Sequence, residues 1–235
     1  MKLTKIKRTS RRKEILLSLS RSKSILSEQV RSIRTSITFS STERLKTLLV
    51  TSAEAGAGKS FLSTNLAISF ADQDLRVLLV DSDLRRPTTH EYLRLLNTVG
   101  LSNYLTGQEE LGNCIQHTIF ENLYVITSGI IPPNPAELLS SEKMKNFVNT
   151  VSDMFDIVIF DAPPVLPVVD PLIIASLVDG VVFNIHSGRT DQQSAMKAVE
   201  KLKSVDSRII GVVLNNKKRK DSAPYERYYE YSYKK

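Results

Sequence analysis

Six short runs rich in valine, isoleucine and leucine, at residues 46–52, 75–82, 122–128, 156–161, 179–186 and 208–215, alternate with helical patterns near 59–72, 88–96, 135–152, 168–177 and 190–204. Strands that alternate with helices predict an α/β sandwich with a mostly parallel central sheet flanked by helices. Val77-Leu78-Leu79-Val80 and Ile157-Val158-Ile159-Phe160 show no polar alternation, as expected of strands covered on both faces. Both runs end in acids. In an open parallel sheet the ligand crevice lies beyond the carboxyl ends of the strands, so Asp81, Asp83 and Asp161 are expected to gather there.

The loop Ala53-Glu54-Ala55-Gly56-Ala57-Gly58-Lys59-Ser60 joins the first strand to the first of these helices, which opens at Phe61. Backbone amides of Ala55, Gly56, Ala57 and Gly58 and the positive helix end favour a polyphosphate; Lys59 can reach its outer phosphates and Ser60 can ligate magnesium. Ala53 stands where the G-x-x-x-x-G-K-S spacing expects glycine, and alanine serves there if its φ is negative. This loop predicts an ATP or GTP site. The competing reading is a flexible small-residue turn with a surface lysine.

Magnesium takes one or two carboxylates, phosphate oxygens and water, which suits Ser60, Asp83 and Asp161 as metal ligands. Strand periodicity puts Asp81 and Asp83 on one side. With Lys59 they are the catalytic candidates: Asp81 as base and Asp83 as metal support, two roles the residues alone do not separate. Surface salt bridges to Arg85 and Arg86 are the alternative use of this pair.

A chain of 235 residues fits one domain with terminal extensions. The single Cys114 leaves no disulfide framework, and a reducing compartment, the cytosol, fits best. No run of 18 uncharged apolar residues is present, and residues 1–24 lack a secretory apolar core, so neither a membrane span nor a signal peptide is expected. The net charge of +7 is concentrated at the ends: residues 1–24 carry nine Lys/Arg against one acid and residues 217–235 seven against three, which leaves −5 between them. A mildly acidic centre argues against nucleic acid as a partner. The basic ends suit an acidic partner, an anionic membrane surface, or simple solvation.

The GKS loop, the Val80-Asp81-Ser82-Asp83-Leu84-Arg85-Arg86-Pro87 strand end and the Phe160-Asp161-Ala162-Pro163-Pro164 strand end together resemble the bacterial tyrosine kinases of capsule and exopolysaccharide synthesis, relatives of the MinD/ParA group of P-loop ATPases. Residues 128–141, with Pro135 at a helix start, resemble that family's proline-rich turn. The likeness covers about residues 25–235. The charge distribution sets off a basic extension over 1–24, and the likeness implies a P-loop kinase domain over 25–216 and a tail over 217–235, with ATP and Mg²⁺ as cofactors. MinD/ParA relatives carry a signature lysine where this chain has Glu54, which matches the kinase branch.

Five of the eight tyrosines, Tyr225, Tyr228, Tyr229, Tyr231 and Tyr233, fall in one polar terminal segment expected to be mobile. The resemblance makes them the autophosphorylated cluster, with transfer to a neighbouring subunit as the sharper expectation. Glu28, Arg31 and Arg34 share a helix face. That spacing fits either an intrahelical ionic face or, by resemblance, the family's subunit contact in a homo-oligomer, a ring among its options.

The resemblance further implies protein tyrosine substrates and a separate membrane-bound activator of the polysaccharide co-polymerase type, which would hold a cytoplasmic kinase at the inner face of the plasma membrane. Asn215 fits an adenine contact or a turn. Two other classes compete: an ATPase switch that acts with a membrane partner without tyrosine phosphorylation, and an adaptor whose tail is a docking peptide.

Overall fold

The computed structural model describes residues 25–42 and 45–217. The expected extension over 1–24 and the five tail tyrosines lie outside the described residues. Helix α1 (Ile25–Thr38) precedes strand β1 (Thr47–Ser52), helix α2 (Lys59–Ala71) and strand β2 (Val77–Asp81). Short helices α3 (Thr89–Leu93), α4 (Leu101–Thr106) and α5 (Leu111–Cys114) lead to strands β3 (Ile115–His117) and β4 (Leu123–Ile126). Helices α6 (Pro135–Leu139) and α7 (Glu142–Met154), strand β5 (Ile157–Asp161), helix α8 (Asp170–Ala175), strand β6 (Gly180–His186), helix α9 (Gln192–Lys203) and strand β7 (Ile209–Asn215) complete the fold.

The seven strands lie in the order β3-β4-β2-β5-β1-β6-β7, all parallel except the edge strand β3. Period-2 alternation divides the core in two. Leu48, Val50, Leu79 and Ile159 face α1 and α2, whereas Leu49, Leu78, Val80, Val158 and Phe160 face α7 to α9 together with Phe147 and Leu202. The doubly covered parallel sheet expected from the apolar runs is therefore present.

Two boundaries differ from the periodic reading, and three short elements were missed. The helix expected over 135–152 is two helices, because Ser141 is extended and its side chain accepts the N–H of Met144, capping a new helix after Ser140. The helix expected over 88–96 stops at Leu93, where Arg94 turns left-handed at φ 57°. Helices α4 and α5 and strand β3 are too short to show a period, and the sequence pattern missed them. Among the described residues, no helix is long and apolar enough to cross a membrane.

Helix α2 is buried on nearly all sides, including Ser63, Thr64 and Asn65. Their side chains donate to carbonyls three or four residues back: Thr64 Oγ1 to Ser60 O at 2.7 Å, Ser63 Oγ to Ser60 O at 3.1 Å and Asn65 Nδ2 to Phe61 O at 2.6 Å. Self-satisfied donors let these polar side chains sit between α1 and the sheet, although the buried Asn65 Oδ1 has no hydrogen-bond partner.

Candidate active site

The loop between β1 and α2 turns through two left-handed glycines, Gly56 at φ 80° and Gly58 at φ 88°. Ala53 is buried in the core without a positive φ, which is why alanine is accepted there. Ala55 and Gly56 are exposed, and Ala57 is buried with its carbonyl fixed from outside. Asn184 Nδ2 on β6 and Asn215 Nδ2 on β7 donate to Ala57 O at 2.8 and 2.9 Å. With that carbonyl turned away, the loop's amides are left for an anion. A Cβ on Gly58 would stand 2.2 Å from Asn215 Nδ2, so the close approach requires glycine.

Asn215 thus braces the loop from β7. It also lines, with Phe61 and Asn216, a groove of about 850 Å³ between α1 and β7. Asn184 was missed by the sequence reading, although one amide in the apolar stretch Val181-Val182-Phe183-Asn184-Ile185 was a signal.

The acids gather as the strand ends predict. Asp81 and Asp161, the last residues of the adjacent strands β2 and β5, are paired in register and fully buried. Asp83, two residues beyond β2, accepts from Lys59 Nζ at 3.1 Å. Burial alone would lower the Lys59 ammonium, but the carboxylates of Asp161, Asp83 and Asp81 more than offset it and hold it above the usual lysine value. Burial raises the Asp161 carboxyl against the opposing pull of Lys59 and a hydrogen bond from Ser60. Burial, then the neighbouring Asp161, pushes Asp81 up to about 7.

The Asp81 carboxylate also organises the following loop. Its Oδ2 accepts the N–H groups of Thr88 and Thr89 at 3.1 and 3.0 Å, and its Oδ1 accepts the N–H of Asp83 at 3.2 Å. Thr89 Oγ1 donates to Asp161 Oδ2 at 3.3 Å, a link the sequence did not suggest. Arg85 clamps this loop to α8 through a two-pronged pair with the buried Asp170, at 2.7 and 3.0 Å.

Asp161 Oδ1 is buried without a hydrogen-bond partner, the kind of orphan acceptor that a cation or its bound water would satisfy. Ser60 lies against Asp161 and Asp83 lies against Lys59, so the donor set fits magnesium. Among the described residues, no group of three acids, histidines or cysteines forms an all-protein metal cage. An ion here would lean on phosphate and water oxygens, as magnesium does.

Away from the loop, Glu28 and Arg31 pair along α1. Arg34 instead donates to Ser69 O at 2.7 Å, where α2 ends and its carbonyls carry the negative end of the helix dipole. The shared helix face of these three residues is present, with Arg34 committed to its own chain.

Residues 45–215 match the family model described as an AAA domain. The chain is 43% identical over 222 residues to the tyrosine-protein kinase YwqD of Bacillus subtilis (strain 168), covering 94% of each chain. It is 39% identical over 189 residues to the tyrosine-protein kinase CpsD of Streptococcus agalactiae, covering 80% of this chain and 82% of that one. The solved structure of the chimerical protein CapA2B2 superposes with a TM-score of 0.84 at 35% identity, over 87% of this chain and 90% of that chain. A septum site-determining protein MinD from Pyrococcus horikoshii, at TM-score 0.64 and 21% identity over 77% of this chain and 75% of that one, shares the fold alone. A phosphate loop facing paired strand-end acids, together with this full-length similarity, places the chain among the bacterial tyrosine kinases built on the MinD/ParA-like P-loop fold.

Proposed function

We propose that this kinase transfers the γ-phosphoryl group of ATP, bound as its magnesium complex, to Tyr225, Tyr228, Tyr229, Tyr231 and Tyr233 of a neighbouring copy in a homo-oligomer. The observation that carries the reading is the convergence of Lys59, Ser60, Asp81, Asp83 and Asp161 beyond the ends of β1, β2 and β5. Ser60, Asp83 and Asp161 would hold magnesium, which would supply positive charge against that developing on the phosphate.

The chain's own residues do the rest. Loop amides and Lys59 hold the phosphates, while Ser60, Asp83 and Asp161 hold the metal. Asp81 is assigned as the base that orients and deprotonates the tyrosine hydroxyl: its raised pKa suits the task, and its Oδ1 carries only one amide, at 3.2 Å. The groove lined by Phe61, Asn215 and Asn216 has room for the base of the nucleotide. Transfer between copies, rather than within one chain, rests on the family likeness. Successive phosphorylation turns a basic tail acidic and would loosen the assembly through repulsion.

By family likeness, the kinase serves capsule or exopolysaccharide production and is switched on by a separate membrane protein of the polysaccharide co-polymerase type at the inner face of the plasma membrane. The exposed face of Glu28 and Arg31 remains the subunit contact we assign.

The decisive experiment incubates a Lys59→Met chain, as acceptor, with an active chain whose five tail tyrosines are phenylalanine, in labelled ATP. Label on the acceptor's tail supports transfer between copies. Free phosphate with unmodified tyrosines would instead establish an ATPase switch. Light scattering before and after ATP checks the assembly, which should shrink.

A further inference from the structure

The loop after β6 brings Arg189 to the phosphate loop. His186 O accepts the N–H groups of Arg189 and Thr190 at 3.2 and 3.0 Å, and the N–H of His186 donates to Thr190 Oγ1 at 3.1 Å. Ser187 N–H donates to Asn215 O at 2.9 Å, and Gly188 closes the turn at φ 70°. On the far side of the turn, Ser194 Oγ of α9 donates to Glu54 Oε1 at 3.1 Å, which ties α9 to the start of the phosphate loop. The turn that carries Arg189 is therefore fixed from both sides.

The Arg189 guanidinium rests against Gly56. A Cβ built on Gly56 would lie 3.0 Å from Arg189 Nη1 and 3.4 Å from both Cζ and Nη2, so the group meets the loop broadside. Among the described residues, no ion pair or hydrogen bond engages this exposed side chain. Lys59, by contrast, is already committed to Asp83 and stands among three carboxylates. A triphosphate entering that acidic setting needs further positive charge, and the planar fork of arginine suits phosphate oxygens.

We propose that Arg189 is a catalytic residue supplied by the same chain, which swings from Gly56 onto the outermost phosphate of bound ATP and stabilises the charge that builds there during transfer. An arginine at this position can have a large effect on rate, because phosphoryl transfer depends mostly on positioning and charge stabilisation. The inference rests on the nucleotide reading above and adds a residue to it.

The test compares ATP and ADP binding, with fluorescent analogues, and single-turnover phosphorylation in the full chain and in Arg189→Ala, Arg189→Met and Arg189→Lys. Thermal melting checks that each variant is folded. Arg189→Met keeps a long unbranched side chain and removes the guanidinium with its charge and donors. The expected result is a loss of roughly 10- to 100-fold in ATP affinity or transfer rate for the Ala and Met variants, the size of a lost charge-assisted hydrogen bond, with partial retention by lysine. ADP affinity should change by less than about threefold, because ADP lacks the group contacted. Arg189→Met with ATP binding and transfer like the unsubstituted chain would overturn the inference alone, as would equal losses for ATP and ADP. An unsubstituted chain that binds neither nucleotide would overturn the nucleotide reading and this inference together.

Discussion

Lys59 Nζ and Asp83 Oδ2 lie 3.1 Å apart, so the lysine proposed to hold phosphate is paired with the carboxylate proposed to hold the metal. In the proposed reaction Lys59 would turn from this pair to phosphate, and Asp83 would be left to help hold the metal. Asp83→Asn removes the charge that repels free nucleotide. Metal-free ATP should then bind as tightly or more tightly, while the gain from added Mg²⁺ disappears and phosphotyrosine formation falls at least about 100-fold. Titration calorimetry with and without Mg²⁺, alongside labelled-ATP assays, checks this.

Gly58→Ala should damage the loop twice. Its φ of 88° is strained for alanine, and the new Cβ would meet Asn215 Nδ2 at 2.2 Å, breaking the brace on Ala57. A loss of about 1–3 kcal/mol is expected from the strain alone. Melting should fall by several degrees and nucleotide binding should be lost, both readable by differential scanning fluorimetry with and without ATP.

Arg85 and Asp170 should respond unequally to truncation. Asp170 is fully buried, whereas the Arg85 side chain is 39% exposed. Arg85→Ala strands a buried carboxylate, and partial exposure of the site limits the cost to about 1–3 kcal/mol. Asp170→Asn leaves the arginine free to reach water and should cost less. Urea unfolding of both variants tests the order, and transfer should slow in each because the clamp on the Asp83 loop is gone.

The buried acids predict an unusual pH response. With the Asp81 pKa raised to about 7, the folded chain holds a proton there that the unfolded chain releases near the ordinary carboxylate value. The associated stability is present below that ordinary value and is lost as pH rises through about 7. Nucleotide-free protein should therefore lose stability between pH 5 and 7.5, and the loss should be smaller in Asp81→Asn. Melting curves across that range measure it; parallel curves for the two proteins would refute the assignment. Transfer shows the opposite trend and should decline below about pH 7, where the assigned base is protonated.

What the sequence determined by itself is what local chemistry encodes. Apolar runs covered on both faces specified the parallel sheet, and their terminal acids, Asp81 and Asp161, announced a crevice, because strand direction and the position of a charge at a strand end are both short-range facts. The small residues before Lys59 announced a phosphate loop for the same reason. Where short-range signals compete, the pattern misleads: Ser140 and Ser141 break one apparent helix into two because Ser141 caps a new one.

Only the tertiary structure decided which distant groups meet. Asn184 and Asn215 reach Ala57 across 127 and 158 residues, Thr89 reaches Asp161 across 72, and Arg34 is spent on the end of α2 rather than left on a free face. The guanidinium of Arg189 over Gly56 belongs to the same class. A contact of this kind depends on which strands become neighbours and on where a turn ends in space. No local period records either, because the order β2-β5-β1-β6-β7 is set by the packing of the whole sheet.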